Sequence, residues 1–598
     1  MRTSIATVCL SGGLVEKLHA CADAGFDGVE VFEPDLVAAP QSPEEIRALA
    51  DRLGITLDLY QPFRDAEGVS EAEFADVLRR AEAKFALMRR LGMDTMLVCS
   101  NVATATVDDD RVSASQLRRL GDLAAAYDVR LAYEALAWGR FVDDYRRAWR
   151  IVELADHPNV GVCLDSFHIL SRGHDPKGIE EIPGERIFFL QLADAPALTM
   201  DVLSWSRHHR LFPGEGSFDL STFIGHVLRA GYGGPLSLEV FNDTFRQTDP
   251  GRTARQALRS LRWLEDRAAE RLGAEVPAGL ARLPAVRPPA GIDFVEVRGQ
   301  DTTPVEVVLE QLGFDFRGRH RSKQVRLWSQ GAARIVCNEQ QAIGQAPAVS
   351  AVGFDVADPG TAARRAGLLL APPVPRRTYA GEEELRAVAA PDGTEIFLER
   401  GGVWVDEFEG GAAQSYDPIV SRVDHVNLVQ SWESFDEAVL FYGSVLSLEP
   451  RPVAEVAGPA GLVRSQVMQS ADDGVRLPLN LLPAGQRGHA QHVALACRDI
   501  VGLAADARAR GLRPLPVPGN YYDDLVARFD LDDGIVATLR EYDLLYDRDT
   551  AGEYLHFYTP TVGGVFFEIV ERRGGYDGYG AGNAPVRLAS QLAADRPR

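Results

Sequence analysis

Four acidic or amide side chains close four successive apolar segments, and this pattern constrains the fold of the chain more than any other feature. The segments cover residues 130–134, 160–165, 187–191 and 236–239 and end in Glu134, Asp165, Gln191 and Glu239. A buried parallel strand is expected to be apolar throughout, so a carboxylate at its end requires a specific role. Because the carboxyl ends of barrel strands converge on one face, these side chains are predicted to share a site. Their mutual repulsion calls for a cation.

The first 266 residues alternate short apolar segments with segments of helical periodicity, such as 72–91 and 115–127. The predicted strands are 4–8, 28–32, 56–60, 95–99, 130–134, 160–165, 187–194 and 236–240. Eight such repeats over roughly 250 residues are typical of a closed (β/α)8 TIM barrel. An open doubly wound sheet is the alternative, but no glycine-rich phosphate turn follows the first strand. We therefore predict an α/β chain whose first domain, residues 1–266, is a TIM barrel.

The remainder of the chain has a different character. Residues 267–292 are rich in proline, which disfavours helix and sheet interiors, so they are predicted to be a linker. The segments that follow are short and β-rich, for example 423–428, 537–540 and 565–570. They predict an α+β domain of two related halves, 293–415 and 416–598, each built on a curved mixed sheet.

Composition excludes several classes of partner. The formal net charge of −23 argues against binding to nucleic acid or anionic membranes, because both require basic surfaces. No apolar segment is long enough to span a bilayer, and the first residues lack the pattern of a secretory leader. Six cysteines form no CxxC pair and are predicted to be reduced. These features favour a cytoplasmic protein that acts on a small molecule.

The barrel site has a chemistry that its residue types predict. Carboxylate and amide oxygens suit a hard ion such as Mg²⁺ or Mn²⁺. His168 follows the second of these acidic residues closely and has a pKa suited to proton transfer near neutrality. Arg64 and Arg210 lie in segments after the third and seventh strands, where they would hold a substrate carboxylate in bidentate fashion. Taken singly, each carboxylate could equally be a helix cap, and each arginine a surface residue.

These residues resemble the xylose-isomerase-like superfamily of sugar isomerases and epimerases, to which the pattern Asp165-x-x-His168 belongs. Gln191 stands where sugar epimerases usually have histidine, and it is more like the dehydratases of the superfamily. Segments 61–65 and 207–216 are similar to the bacterial 3-dehydroshikimate dehydratases. The resemblance implies conversion of 3-dehydroshikimate to protocatechuate (3,4-dihydroxybenzoate) in quinate and shikimate catabolism, with Mg, Mn or Co in the barrel.

The resemblance also implies roles for individual residues. The metal would polarise the ring ketone and stabilise an enolate. His168 would act as the base that removes the proton beside that ketone and would then help to expel the β-hydroxyl as water. Arg64 and Arg210 would hold the ring carboxylate. The candidate auxiliaries are Tyr60, Ser206 and Glu30.

A second site is predicted in the last part of the chain. His425, His492 and Glu568 lie in strand-like segments and together form the two-histidine, one-carboxylate set of non-haem iron enzymes, although each alone could be a core residue. Segments 320–331, 518–523, 545–549 and 578–583 are similar to the 4-hydroxyphenylpyruvate dioxygenases, which have a vicinal-oxygen-chelate fold. The resemblance implies Fe(II) or another divalent metal in the second half alone. His556 and Ala584 depart from that family's pattern, which argues against its usual substrate.

Three alternatives remain open from the sequence. The barrel could be a sugar or inositol isomerase, epimerase or dehydratase, or it could merely support an aromatic-acid dioxygenase in the second domain. The second domain could instead be a dimerisation or regulatory module, in which case disrupting its metal site would leave dehydration intact. A homo-oligomer is expected, with a dimer through the second domain as the simplest form.

Overall fold

A computed structural model describes residues 1–273, 279–413, 417–459, 461–481 and 490–594. The chain divides into two compact units, Met1–Leu283 and Pro284–Arg598. None of the described helices is long and apolar enough to cross a membrane.

The first unit is a closed barrel of eight parallel strands whose neighbours follow the chain order, so the predicted TIM barrel is confirmed. Its strands are β1 (Thr3–Ala6), β2 (Gly28–Phe32), β3 (Thr56–Phe63), β4 (Thr95–Cys99), β5 (Arg130–Glu134), β6 (Val160–Asp165), β7 (Ile187–Leu192) and β8 (Leu236–Leu238). Its helices are α1 (Leu14–Ala24), α2 (Glu33–Ala38), α3 (Pro43–Leu53), α4 (Glu71–Leu91), α5 (Asp110–Ala125), α6 (Tyr145–Ala155), α7 (Ser166–Leu170), α8 (Val202–His208), α9 (Leu220–Arg229) and α10 (Pro250–Leu272).

Local sequence signals set the ends of the outer helices. Helices α3 and α4 both begin with a capping box, in which a serine and a glutamate three residues later satisfy each other's backbone N–H groups. Both end at a glycine with positive φ, Gly54 and Gly92, a conformation that costs glycine little. These ends direct the chain back towards the next strand and keep each helix on the outside of the barrel.

The barrel interior contains an apolar layer beside the polar ligand residues. This layer comprises Leu59, Leu97, Cys99, Ala132, Leu136, Cys163 and Phe189. All six cysteines of the chain are free and buried, as expected. Two of them contact the polar layer directly, since the thiol of Cys99 lies 3.5 Å from Glu134 Oε2 and that of Cys163 lies 3.5 Å from Gln191 Oε1.

The second unit contains two mixed sheets, one in each half, which confirms the predicted α+β architecture. The strands of the first half are β9 (Gly291–Arg298), β10 (Asp315–His320), β11 (Val325–Gln330), β12 (Ala333–Asn338), β13 (Ala348–Asp355), β14 (Arg386–Ala389), β15 (Glu395–Glu399) and β16 (Phe408–Gly410). Those of the second half are β17 (Val420–Gln430), β18 (Glu449–Pro450), β19 (Ala454–Gly458), β20 (Gly461–Gln469), β21 (Arg476–Leu481), β22 (Gln491–Cys497), β23 (Leu545–Arg548), β24 (Gly552–Tyr558) and β25 (Val565–Gly574). The helices are α11 (Thr303–Gln311), α12 (Pro359–Leu368), α13 (Phe435–Leu446), α14 (Ile500–Ala509), α15 (Gly519–Phe529), α16 (Asp533–Glu541) and α17 (Ala584–Ala594).

The predicted strand at residues 537–540 is wrong. Residues 537–540 lie within helix α16, whose first backbone N–H groups are capped by the side chain of Asp532. Val536 and Leu539 are buried at a spacing of three residues, which is a helical spacing. A short apolar segment does not distinguish a strand from one buried face of a helix.

The segment between the last helix of the barrel and the first strand of the second unit is shorter than the predicted linker. Helix α10 continues to Leu272 and strand β9 begins at Gly291, so the predicted linker 267–292 includes the end of that helix. Residues 274–278 of that linker and the predicted boundary between the two halves, 415/416, lie outside the described residues.

We expect Ser166→Ala to destabilise the barrel at the edge that carries the ligand residues. The buried Ser166 hydroxyl donates to Ala193 O and accepts from Ala193 N, both at 2.9 Å, and so joins the ends of β6 and β7. Its removal leaves two buried backbone groups unpaired, which should lower the free energy of unfolding by about 1–3 kcal/mol in urea titrations. Ser115→Ala, on the exposed face of α5, is the matched control and should change it by less than about 0.5 kcal/mol. Equal stability of the two variants would contradict this account.

Candidate metal centres

The barrel brings all four predicted ligand residues to the carboxyl ends of adjacent strands. Glu134 ends β5, Asp165 ends β6, Gln191 lies one residue before the end of β7, and Glu239 follows β8 directly. All four side chains are buried. Ligand atoms of Glu134, Asp165 and His168 lie within 4.8 Å of one another. The structure therefore gathers the residues that the sequence predicted would share one site.

This cluster has the properties of a divalent-metal site. Glu134 Oε1 is buried and receives no hydrogen bond. Burial, followed by the charges of Glu239 and Asp165, raises the pKa of Glu134 well above its ordinary value. Burial likewise raises the pKa of Glu239 to about 7, against the opposing effect of Arg210. A hard divalent ion fits this set of oxygen donors, because it would neutralise the carboxylates and use the unpaired oxygen.

Arg210 lies against the ligand carboxylates. Its Nη1 donates to Asp165 Oδ2 at 2.8 Å and to Glu239 Oε2 at 3.2 Å, while Nη2 and Nε donate to Ser206 Oγ at 2.9 and 3.1 Å. The guanidinium is fully buried and packs over the ring of Phe167. Sequence analysis placed Arg210 on the substrate carboxylate, whereas its observed partners are the metal-ligand residues and Ser206.

Arg64 has a different environment. It is exposed, and its guanidinium makes no hydrogen bond or ion pair with any described residue. It lines the same pocket as Glu134, His168, Ser206 and Arg210. Arg64 is therefore available to bind an anionic group entering this pocket, as is the exposed Arg207, which lines it too.

Tyr60, a predicted auxiliary, is not among the residues that line this pocket. Its side chain is buried, and burial together with the nearby charge of Glu33 raises the pKa of its hydroxyl. The observed environment gives Tyr60 a place in the barrel wall.

The two ring nitrogens of His168 have different partners. The backbone N–H of Ala137 donates to Nδ1 at 3.1 Å. Nε2 lies 3.3 Å from Arg210 Nη2, 3.6 Å from Asp165 Oδ2 and 3.8 Å from Glu134 Oε1. Burial lowers the pKa of His168 to about 3, so the ring is neutral near pH 7. The shorter contact, in which Nδ1 accepts from Ala137, favours a ring with its proton on Nε2, whereas the contact with Arg210, which can only donate, opposes this tautomer.

Sequence analysis missed two contributors to this site. The indole of Trp138 lies edge-on to His168, with ring centroids 5.0 Å apart. The side chain of Gln61 bridges two buried carboxylates, since its Nε2 donates to Glu30 Oε2 and to Glu239 Oε1, both at 3.0 Å. Gln61 belongs to the same short segment as Tyr60 and Arg64. Its position directly after a predicted strand is the sequence feature that could have identified it as part of the site.

The second unit brings the other three predicted ligands together. Glu568 Oε2 lies 3.2 Å from His425 Nε2 and 3.1 Å from His492 Nε2, and the two Nε2 atoms are 3.2 Å apart. All three side chains are buried. Their ligand atoms converge on one point, as two imidazoles and a carboxylate do at a divalent metal.

Outer contacts orient these ligands. His425 Nδ1 lies 2.9 Å from Asp424 Oδ2, and Arg572 Nη2 donates to the same oxygen at 2.9 Å. Although burial opposes its ionisation, His425 and Arg572 hold the pKa of Asp424 well below its usual range. A carboxylate that fixes the far nitrogen of a histidine is a common feature of metal sites, where it orients the ring.

The carboxylate ligand is held in a similar way by residues of the neighbouring strand and the C-terminal segment. His556 Nδ1 lies 2.7 Å from Glu568 Oε1, and the hydroxyl of Tyr554 donates to the same oxygen at 3.1 Å. Asn583 Nδ2 donates to His556 Nε2 at 3.0 Å, so the ring carries its proton on Nδ1. His556, one of the two residues that depart from the dioxygenase pattern, therefore holds Oε1 and leaves Oε2 to face His425 and His492.

The first half has apolar residues at the equivalent positions. In the second half, His425 pairs with Ala494, which in turn pairs with Glu568. The corresponding ladder of the first half pairs Phe294 with Gly353 and Gly353 with Phe397. This register makes Phe294, Ala351 and Phe397 the equivalents of His425, His492 and Glu568. The three first-half residues belong to one hydrophobic cluster. The first half therefore has no ligands at these three positions, in agreement with the prediction that the metal lies in the second half.

Two family models match the chain. A xylose isomerase-like TIM barrel model matches residues 18–267, and a model of the N-terminal part of hydroxyphenylpyruvate dioxygenase matches residues 288–417. The chain is 43% identical to a 3-dehydroshikimate dehydratase of Pseudomonas aeruginosa over 100% of this chain and 99% of that protein. It is 27% identical to a 4-hydroxyphenylpyruvate dioxygenase of the same species over 49% of this chain and 90% of that protein. A solved structure of a xylose isomerase-like TIM barrel/4-hydroxyphenylpyruvate dioxygenase fusion protein matches with a TM-score of 0.90 and 41% identity, covering all of both chains.

The fold and the two centres thus define a fusion of a xylose isomerase-like TIM barrel with a hydroxyphenylpyruvate dioxygenase-like domain. Within that class, the chain belongs to the family of 3-dehydroshikimate dehydratases. The resemblance drawn from the sequence is confirmed in both domains.

We expect Asp424→Asn to weaken metal binding in the second unit while leaving the three ligands in place. Loss of a residue that orients a metal ligand typically lowers affinity by about 10–100-fold. Calorimetric titration with Mn²⁺ or Co²⁺ measures this change. Asp472→Asn, at an exposed position of the same half, is the control and should bind as the wild type does. Unchanged affinity in Asp424→Asn would contradict the orienting role.

Proposed function

We propose that the barrel of this chain catalyses the metal-dependent dehydration of 3-dehydroshikimate to protocatechuate. This proposal rests on the buried cluster of Glu134, Asp165, Gln191 and Glu239, in a chain that matches a 3-dehydroshikimate dehydratase over its whole length. The activity assigns the protein to the hydro-lyases, and its product belongs to the catabolism of quinate and shikimate.

The four ligand residues would hold Mg²⁺, Mn²⁺ or Co²⁺, which their oxygen donors favour over softer ions. When bound, such an ion supplies Lewis-acid stabilisation of negative charge on the substrate's ketone oxygen. Arg210 lowers the pKa of Asp165 and opposes the rise in the pKa of Glu239, and it holds both side chains in place through its hydrogen bonds at 2.8 and 3.2 Å. Its predicted second role, on the substrate carboxylate, stays a prediction.

Arg64 is the group best placed to bind the ring carboxylate of the substrate. It lines the pocket, and its guanidinium makes no hydrogen bond or ion pair with the described residues, so binding an anion there breaks no existing ion pair. A bidentate contact from its guanidinium would fix the orientation of the ring. The carbon that loses its proton would then face His168, across the pocket.

His168 is the residue assigned to proton transfer. Removal of the substrate proton by Nε2 requires a lone pair on that atom, and so requires loss of the hydrogen bond from Ala137 to Nδ1. With Nδ1 accepting from Ala137, Nε2–H would instead donate to the oxygen on which negative charge develops, as neutral imidazoles do in other enolate-forming enzymes. A glutamine at this position separates the two roles, because its amide can donate a hydrogen bond but cannot act as a base.

The geometry disfavours a sugar or inositol isomerase. Such enzymes usually require a second carboxylate at the reacting carbons for acid–base chemistry. The additional buried carboxylate of this site, Glu30, does not line the pocket and accepts hydrogen bonds from Gln61, Gln191 and Ser237. It is thus engaged with the barrel wall.

In the second unit we propose a divalent-metal site formed by His425, His492 and Glu568, with Fe(II) as the first candidate. Its substrate differs from 4-hydroxyphenylpyruvate, because His556 engages Glu568 at 2.7 Å where that family has glutamine. We also propose that the protein is cytoplasmic and forms a homo-oligomer through this unit. Sedimentation equilibrium of the full chain tests its oligomeric state.

We expect Glu134→Ala to abolish dehydration. Wild-type protein incubated without oxygen with 3-dehydroshikimate and Mg²⁺, Mn²⁺ or Co²⁺ should form protocatechuate, followed by ultraviolet absorbance and mass. Loss of a metal ligand should reduce kcat by at least about 100-fold. Glu153→Ala, on the exposed face of α6, should retain activity. Absence of product with every metal would refute the dehydratase and favour an isomerase.

Substitutions at His168 should separate its two roles. If Nε2 acts as the base, His168→Gln and His168→Ala should both lose about 10²–10⁴-fold in kcat, because neither side chain accepts a proton at neutral pH. If Nε2–H acts as a donor, His168→Gln should retain clearly more activity than His168→Ala, because the amide still donates. The observed hydrogen bond from Ala137 predicts the second result, and equal loss in both variants would overturn it.

A further inference from the structure

Glu30 is a buried carboxylate that the proposed mechanism does not use. It lies in the middle of β2, pairs along the sheet with Ala6 on one side and Leu59 on the other, and is completely inaccessible to solvent. It is not among the residues that line the pocket. Burying a carboxylate without compensating partners is strongly unfavourable. The groups that contact Glu30 therefore indicate its role.

All three hydrogen-bond partners of Glu30 are donors. Gln191 Nε2 donates to Glu30 Oε2 at 2.6 Å, and Gln61 Nε2 donates to the same oxygen at 3.0 Å. The hydroxyl of Ser237 donates to Oε1. Glu30 therefore acts as an acceptor through both oxygens, and one of its donors is a predicted metal ligand.

An amide side chain coordinates a metal ion through its oxygen, because the nitrogen carries two hydrogens and has no free lone pair. The two ends of a glutamine amide have nearly the same shape, so packing alone does not determine which end faces the metal. A hydrogen-bond acceptor on one side does determine it. With Nε2 donated to Glu30, Gln191 Oε1 is left with only the weak thiol contact of Cys163 at 3.5 Å.

We propose that Glu30 is a positioning residue that fixes the amide of Gln191 with its nitrogen in the barrel wall and its oxygen available to the metal ion. The inference rests on the metal-dependent function proposed above and assigns Glu30 no contact with substrate or metal. Gln61 extends the same control, because its Nε2 joins Glu30 to Glu239 Oε1 at 3.0 Å. One buried acceptor thereby aligns two ligands on different strands and favours a hard ion that binds oxygen.

Glu30→Gln tests the proposal because it preserves shape and removes one acceptor oxygen. The introduced amide faces the amide of Gln191, so one of the two must turn, and we expect the dissociation constant for Mn²⁺ to rise by about 10–100-fold. Free Mn²⁺ is measured by electron paramagnetic resonance in full-length protein that also carries His492→Ala, which removes the second-unit site. Ser237→Ala removes the donor to the other oxygen of Glu30, Oε1, and should leave the affinity unchanged.

The reciprocal exchange distinguishes positioning from packing. Glu30→Gln combined with Gln191→Glu restores one donor and one acceptor, so this double variant should regain most of the affinity lost in each single variant. A merely structural role predicts that the two losses add. Wild-type affinity in Glu30→Gln, or additive losses in the double variant, would overturn the inference alone. A wild-type barrel that binds no Mn²⁺ would overturn the proposed metal-dependent function as well.

Discussion

The concentration of negative charge inside the barrel is the constraint on which the first unit depends. Four buried carboxylates, those of Glu30, Glu134, Asp165 and Glu239, lie at or near the carboxyl ends of the strands. Arg210 is the buried cation that contacts two of them. Burial raises the pKa of Glu134 and of Glu239, so without a further cation their protonated forms are favoured. A divalent cation bound there would favour their ionised forms, so metal binding and ionisation of this cluster would support each other.

In the second unit, the buried carboxylates are paired with a different set of donors. Glu568 is surrounded by imidazole and hydroxyl donors, and Asp424 by His425 and Arg572. Each carboxylate there is paired with a specific donor, whereas Glu134 in the barrel keeps an unpaired oxygen. Imidazole ligands favour a transition metal, while carboxylate and amide ligands favour magnesium or manganese. The two candidate metal sites of this chain therefore differ in the ions that their donors favour.

Much of the fold and of both centres was predictable from the sequence, because strand ends and ligand types leave local signals. The eight-strand alternation and the four strand-end ligands needed only periodicity and residue chemistry. The partners of Arg210 were not predictable, because they depend on where the loop after β7 returns over the barrel. The tautomer of His168 depends on a backbone N–H from another strand–helix connection, that of Ala137, and no side-chain pattern encodes it. Segment 537–540 failed because its apolar residues fit both a strand and a buried helical face.

The apolar cluster at the ligand positions of the first half has an evolutionary consequence. To rebuild a metal site there, polar side chains would have to replace Phe294, Ala351 and Phe397, which pack together without solvent. Each single replacement would bury a polar group with neither metal nor hydrogen-bond partner, at a cost of roughly 1–3 kcal/mol or more. Every intermediate would therefore be less fit than either end point. A metal site in the first half would therefore require several simultaneous replacements, which the packing of this apolar cluster opposes.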